Sequence, residues 1–126
     1  MNFKKLFIGH CKMNGLEIND NQINTVESIN GFYQDNFNSN FFSSLFSDKH
    51  NILGFYLHGD VGVGKTMILN FFYENFNQTK HRLHFNEFMI KFHDFIFQNK
   101  NSKKGNVIDK FVVKLKKKYK LIYFDE

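Results

Sequence analysis

Apolar positions along this chain change their period several times, and each change marks an element. Residues 1 to 18 show no sustained period and predict a loose or extended lead-in. In "NDNQINTVESINGFYQ", Ile23, Val26, Ile29 and Tyr33 recur at helical spacing, with Asp20 placed to cap the helix and Gly31 weakening its last turn. Residues 35 to 50 are polar apart from "FFSSLF" and read as a short helix and loop. The pattern then alternates between short apolar runs and amphipathic stretches. "ILGFYL", Ile52 to Leu57, is rich in strand formers. From Lys65, "KTMILNFFYENF" predicts a helix with Ile68, Leu69, Phe72 and Phe76 on one side. His81 to Phe85 predicts a second strand, followed by a helix with Phe88, Phe92, Phe95 and Ile96 inward. Asn99 to Gly105 is a loop, and Val107 to Lys118 is a helix burying Ile108, Phe111, Val112 and Leu115. "LIYF" is a third strand that runs into Asp125 and Glu126.

Strands separated by helices predict an α/β fold with a parallel sheet flanked by helices. In such sheets ligands bind at the carboxyl ends of the strands, and two motifs sit there. The first is "GDVGVGKT", where Gly59, Gly64, Lys65 and Thr66 meet the full G-x-x-x-x-G-K-[ST] phosphate-loop pattern, known as Walker A. A chance match in a chain of this length is under about 1% at average residue frequencies. A predicted strand precedes it and a predicted helix follows, which is the setting the motif requires. The glycines let the backbone wrap a polyphosphate. Successive N–H groups then face its oxygens, and the helix N-terminus adds positive potential. Nucleotide contacts are therefore expected from Gly59, Asp60, Val61, Gly62, Val63, Gly64, Lys65, Thr66 and Met67, with Asp60, Val61 and Val63 contributing mainly backbone. Lys65 reaches the β- and γ-phosphates, and the Thr66 hydroxyl ligates Mg²⁺. The second motif is the terminal acidic pair, or Walker B. Asp125 is expected to hold Mg²⁺ and Glu126 to act as general base on the attacking water. No N-K-x-D guanine-reading motif is present, so ATP rather than GTP is the expected substrate.

Composition adjusts this picture only slightly. The chain has 126 residues, enough for one small domain, and its 18 Phe, no Trp and no Pro reflect compositional bias more than function. The net charge of +5 is concentrated at Lys114 to Lys120, read as a solvated helix end rather than a nucleic-acid patch. The single cysteine, Cys11, allows no internal disulfide and suits a reducing compartment. His81, His84 and His93 fit no zinc spacing and are read as structural or substrate-facing. No run of about 20 apolar residues is present to span a membrane.

"GFYLHGDVGVGKTMILNFFY", "HRLHFNEFMIKFHDFI" and "LIYFDE" together resemble the ZapE/AFG-type ATPases of the AAA+ superfamily. The specific element is R-x-H-F-x-x-F-M-x-x-x-H, carried by Arg82, His84, Phe85, Phe88, Met89 and His93, and "GLEINDNQ", with Asp20 and Gln22, is similar to the family's start. The resemblance runs from about Gly15 onward and covers the N-terminal part of the family's length. Val63 stands where the family has Arg, Asn70 where it has Asp, and Asn86 where it has His.

The resemblance implies a P-loop NTPase of the AAA+ type, with residues 1–50 as a lead-in and helical segment and 51–126 as the first part of the ATPase core, incomplete at the C-terminus after Walker B. It implies ATP and Mg²⁺ as ligands, a homo-oligomeric ring, and an FtsZ-like division protein as target in bacterial members. It also implies a cytoplasmic location, or a mitochondrial one for a eukaryotic source. The family's fourth strand, between the phosphate-loop and acidic-pair strands, is missing. The chain is therefore expected to be an N-terminal fragment, poorly stable and unable to turn over ATP alone. Two alternatives remain at this stage: a helicase-loader-like, DNA-binding ATPase, and a nucleotide-binding remnant without hydrolysis.

Overall fold

A computed structural model describes residues 1–38, 53–59, 64–102 and 105–125. They fall into two compact units, Met1–Glu74 and Asn75–Glu126. None of the described helices is long and apolar enough to cross a membrane.

The first unit opens with a helix where a loose lead-in was expected. Helix α1, Phe3–Met13, is capped by Asn2, whose side chain accepts a hydrogen bond from the Lys5 N–H at 3.0 Å. Phe3, Phe7 and Cys11 recur every fourth residue and are all buried, so one stripe of the helix faces the core. Burial also pushes the Cys11 thiol pKa above its ordinary value. The helix ends at Asn14, whose side-chain amide donates to the His10 carbonyl at 2.8 Å, and Gly15 turns the chain with φ 63°.

Helix α2, Asp20–Phe37, is capped one residue earlier than expected. Asn19, not Asp20, is the N-cap. Its side chain accepts from the Gln22 N–H at 2.9 Å, and Gln22 Oε1 accepts from the Asn19 N–H at 3.1 Å. This reciprocal capping box satisfies two donors left open at the helix start. Gly31 does not end the helix, and Val26, Ile29 and Tyr33 are buried as predicted. Helices α1 and α2 are joined by three polar links. The Phe3 N–H donates to Asn30 Oδ1 at 3.0 Å, Gln34 Nε2 donates to the Met1 carbonyl at 2.9 Å, and Lys4 pairs with Glu27.

Helix α3, Lys65–Asn75, starts at the predicted lysine and buries Ile68 and Phe72. Phe72 meets Phe3 edge-on at 5.3 Å and Tyr33 at 6.3 Å, while Phe71 lies 5.5 Å from Phe7 and 4.7 Å from His10. The core of this unit is therefore an aromatic cluster shared by three helices.

The predicted first strand is not observed. Ile52 lies outside the described residues, and 53–59 form no ladder with any described segment. Leu53 and Tyr56 are 75% and 79% exposed, whereas Phe55 reaches Phe32 at 6.0 Å. β-propensity creates a strand only where a neighbouring backbone accepts its hydrogen bonds, and no described residue does so here. The helix and loop expected over 35–50 resolve into the last residues of α2; 39–50 lie outside the described residues.

The second unit is a βαβ crossover containing two helices. Strand β1, Lys80–His84, pairs in parallel with β2, Leu121–Asp125, in the register Lys80↔Leu121 to His84↔Asp125. The acidic-pair strand thus has a direct neighbour on one side. Helix α4, Phe85–Gln98, and helix α5, Val107–Lys118, lie between them in sequence. Phe88 contacts Phe124 at 4.8 Å and Phe111 at 5.8 Å; Phe92 and Phe95 each lie 5.2 Å from Phe111. Leu83 and Phe111 are buried, and Phe88, Phe92, Phe95 and Ile96 are half-buried as the period predicted.

The buried face of α5 is narrower than expected. Phe111 is inside and Leu115 half-buried, but Ile108 and Val112 are 48% and 40% exposed. Its stripe follows Val107, Phe111 and Leu115, spaced by four, so the neighbouring i+1 positions face outward. Lys116, Lys117 and Lys118 fill its last turn, where cations complement the helix dipole.

Candidate functional site

Two sets of residues at element ends carry the candidate chemistry, one in each unit. In the first unit, Gly59 has φ 148° and Gly64 has φ 76°, a region that disfavours side chains. A Cβ built on Gly59 would lie 3.5 Å from Lys65 Nζ, so the lysine side chain lies close to the opening glycine of the motif. Gly59 and the Lys65 side chain, from the two ends of the motif, thus lie near each other. Asp60, Val61, Gly62 and Val63 lie outside the described residues.

Gly64 gives way directly to α3, with its carbonyl accepting from the Ile68 N–H at 3.1 Å. The first N–H groups of any α-helix have no partner inside it, and they project from its N-terminus together with the positive end of its dipole. No acidic side chain occupies the first turn of α3 to oppose an anion there. Thr66 is exposed in that turn, and Met67 is half-buried.

Gln22 also joins this set. A Cβ on Gly64 would meet Gln22 Nε2 at 2.5 Å, so the capping-box glutamine of α2 rests against the closing glycine of the loop. Gly64→Ala is expected to cost about 1–2 kcal/mol in a denaturant melt, because the left-handed backbone is strained for any side chain. The Gln22 amide, at the end of a flexible side chain, can swing aside. An unchanged melt would show that the loop closes without positive φ.

In the second unit, the alternation of β1 and β2 places Arg82, His84, Tyr123 and Asp125 on one face of the sheet. Leu83 and Phe124 point to the other face, where α4 packs through Phe85 and Phe88. Arg82 donates to Asp125 Oδ2 from both Nε, at 3.2 Å, and Nη2, at 2.6 Å. Its guanidinium also lies 4.9 Å from the Tyr123 ring centre. His84 Nδ1 is 3.3 Å from the Asp125 carbonyl oxygen. Burial pushes the Tyr123 phenol above its ordinary pKa; the Arg82 charge works against that rise and the Asp125 charge adds to it. Glu126 lies outside the described residues.

Each unit by itself offers an oxygen of the kind that a hydrated Mg²⁺ ion takes beside its waters and phosphate oxygens. Thr66 presents an exposed hydroxyl. Both bonds from Arg82 fall on Oδ2, and Asp125 Oδ1 accepts none among the described residues. Of the other predicted histidines, His81 stacks on Tyr119 at 4.7 Å and His93 lies against Phe92. His58 stacks on Tyr56. Arg82 and His84 stand out in the sequence only as family-pattern residues; their hold on Asp125 emerges when β1 and β2 pair.

A family model described as AFG1-like ATPase matches residues 4–126. Lactation elevated protein 1 homolog B of Danio rerio is 44% identical over 57 residues, covering 44% of this chain and 11% of that protein. Cell division protein ZapE of Escherichia coli is 42% identical over 48 residues, covering 36% of this chain and 13% of ZapE. The chain thus matches only a small part of the length of these curated relatives. No solved structure matches.

Proposed function

The chain belongs to the AFG1-like ATPase family, and from that premise we propose that it binds Mg-ATP at Gly59–Thr66 and that the protein hydrolyses it. The observation that carries this reading is the approach of Lys65 to Gly59 at the N-terminus of α3. That arrangement suits a polyphosphate, whose oxygens would meet backbone N–H groups and one ammonium together.

In this reading the backbone of Asp60, Val61, Gly62 and Val63 completes the cradle, Lys65 neutralises the β- and γ-phosphates, and Met67 borders the nucleotide. Thr66 and Asp125 each carry the Mg²⁺-ligand role that the family resemblance implies, and the ion would neutralise charge developing on the transferred phosphoryl group. Glu126 takes the proton of the attacking water. The proposal includes assembly into a homo-oligomeric ring. A role in cell division rests on likeness to a relative named for it, with an FtsZ-like protein as the target that the family resemblance suggests.

Hydrolysis is tested in the full-length protein with Glu126→Gln, which keeps the shape of the side chain and removes the base. Steady-state phosphate release should fall by about 10²–10⁴ while ATP is still bound. Unchanged turnover would remove Glu126 from the chemistry and with it the proposed mechanism.

A further inference from the structure

The half-buried side chain of Gln22 divides its two polar ends between two elements. Oε1 accepts from the Asn19 N–H at 3.1 Å and so belongs to the capping box of α2. Nε2 is thereby the end turned to the phosphate loop, where a Cβ built on Gly64 would meet it at 2.5 Å. Gly64 is held from its other side by α3, its carbonyl accepting from the N–H of the fully buried Ile68. The closing glycine therefore lies between the starts of two helices of the same unit.

Capping alone does not account for an amide at this position. Glu partners a capping box as well as Gln does, and its negative charge would complement the positive end of the α2 dipole. Beside Gly64 the same carboxylate would be harmful. It would turn a charged acceptor towards the first N–H groups of α3, the groups a phosphate needs, and its charge would repel that phosphate. A neutral amide with its donor end outward satisfies α2 without that conflict.

We infer that Gln22 is a positioning residue of the anion site: its amide sets the start of α2 against the closing glycine and keeps negative charge away from it. The inference rests on the reading of Gly59–Thr66 as a polyphosphate site. Gln22 acts through the loop backbone and reads neither base nor sugar, so its effect extends to any polyphosphate, with or without a nucleoside.

The test is calorimetric titration of the full-length protein with ATP and with inorganic tripolyphosphate, beside a thermal melt of each variant. Gln22→Glu should keep the wild-type melt, because the capping box survives, yet bind both ligands about tenfold more weakly. That loss should shrink as salt is raised. Asn19→Ala should do the reverse: it removes the cap of α2 and lowers the melt, but leaves both affinities within about twofold of wild type. Should Gln22→Glu not fold, Gln22→Met carries the test. It keeps the length, loses the donor, and should weaken tripolyphosphate binding more than Asn19→Ala does. Unchanged tripolyphosphate binding in the Gln22 variant, or an effect seen with ATP alone, overturns the inference and leaves the nucleotide site standing. Wild-type protein that binds neither ligand removes the nucleotide site itself, and the inference with it.

Discussion

Lys65→Ala is expected to weaken ATP binding about a hundredfold while leaving the melting curve almost unchanged. One charge-assisted hydrogen bond to phosphate contributes about 1.5–3 kcal/mol, and about 2.7 kcal/mol corresponds to two decades in affinity. The lysine is well placed for this. It is the first residue of α3, and its ammonium turns back beside Gly59 rather than out along the helix. Titration with a fluorescent ATP analogue, alongside a thermal melt of the same sample, separates the two effects. A loss of affinity under about threefold would contradict a phosphate role. A collapsed melt would assign Lys65 to the fold instead.

Phe3→Ala should have the largest effect on stability, about 3–5 kcal/mol in a denaturant melt. Phe3 is fully buried, and its ring lies between 5.3 and 6.2 Å from those of Phe7, Phe71 and Phe72. Removing it leaves a cavity at the junction of α1 with α3, the helix that begins at Lys65. The exposed neighbour Leu6 supplies the contrast: Leu6→Ala should cost less than about 1 kcal/mol. Equal effects at the two positions would mean that α1 is not docked through the Phe3, Phe7 and Cys11 stripe. Nucleotide affinity should fall with Phe3→Ala only insofar as the protein unfolds.

Local patterns made much of this architecture legible. The bounds of α5 and the start of α3 follow from the hydrophobic period and the motif that precedes α3, and the inward phenylalanines of α4 follow from their spacing. Helix α1 was hidden by the chain's own composition. With phenylalanine, asparagine and lysine in excess, Phe3, Phe7 and the Asn2 cap look like background, although their spacing is helical. Asn19 was obscured by its neighbour, since Asn-Asp offers two capping residues side by side and only the capping-box partner Gln22 distinguishes them.

Other features depend on contacts between distant residues. The apolar run before the phosphate loop has strand composition, but a strand exists only in a ladder. Ile108 and Val112 lie on the apolar arc of α5, but the packing stripe passes beside them. At the site, Gly59, Gly64, Lys65 and Thr66 are recognisable because their spacing is a local device. The partners of Asp125 are not. Arg82 lies 43 residues away and becomes its neighbour only through the parallel register. Gln22 likewise meets Gly64 across the fold, and no periodicity in either segment announces the contact.

The most direct test of the central claim is a titration of the protein with a fluorescent ATP analogue, with and without Mg²⁺. Binding through the Gly59–Thr66 loop predicts saturable uptake that unlabelled ATP displaces and that strengthens when Mg²⁺ is present. No saturable uptake at millimolar nucleotide in either condition, from protein with a cooperative melt, would contradict it.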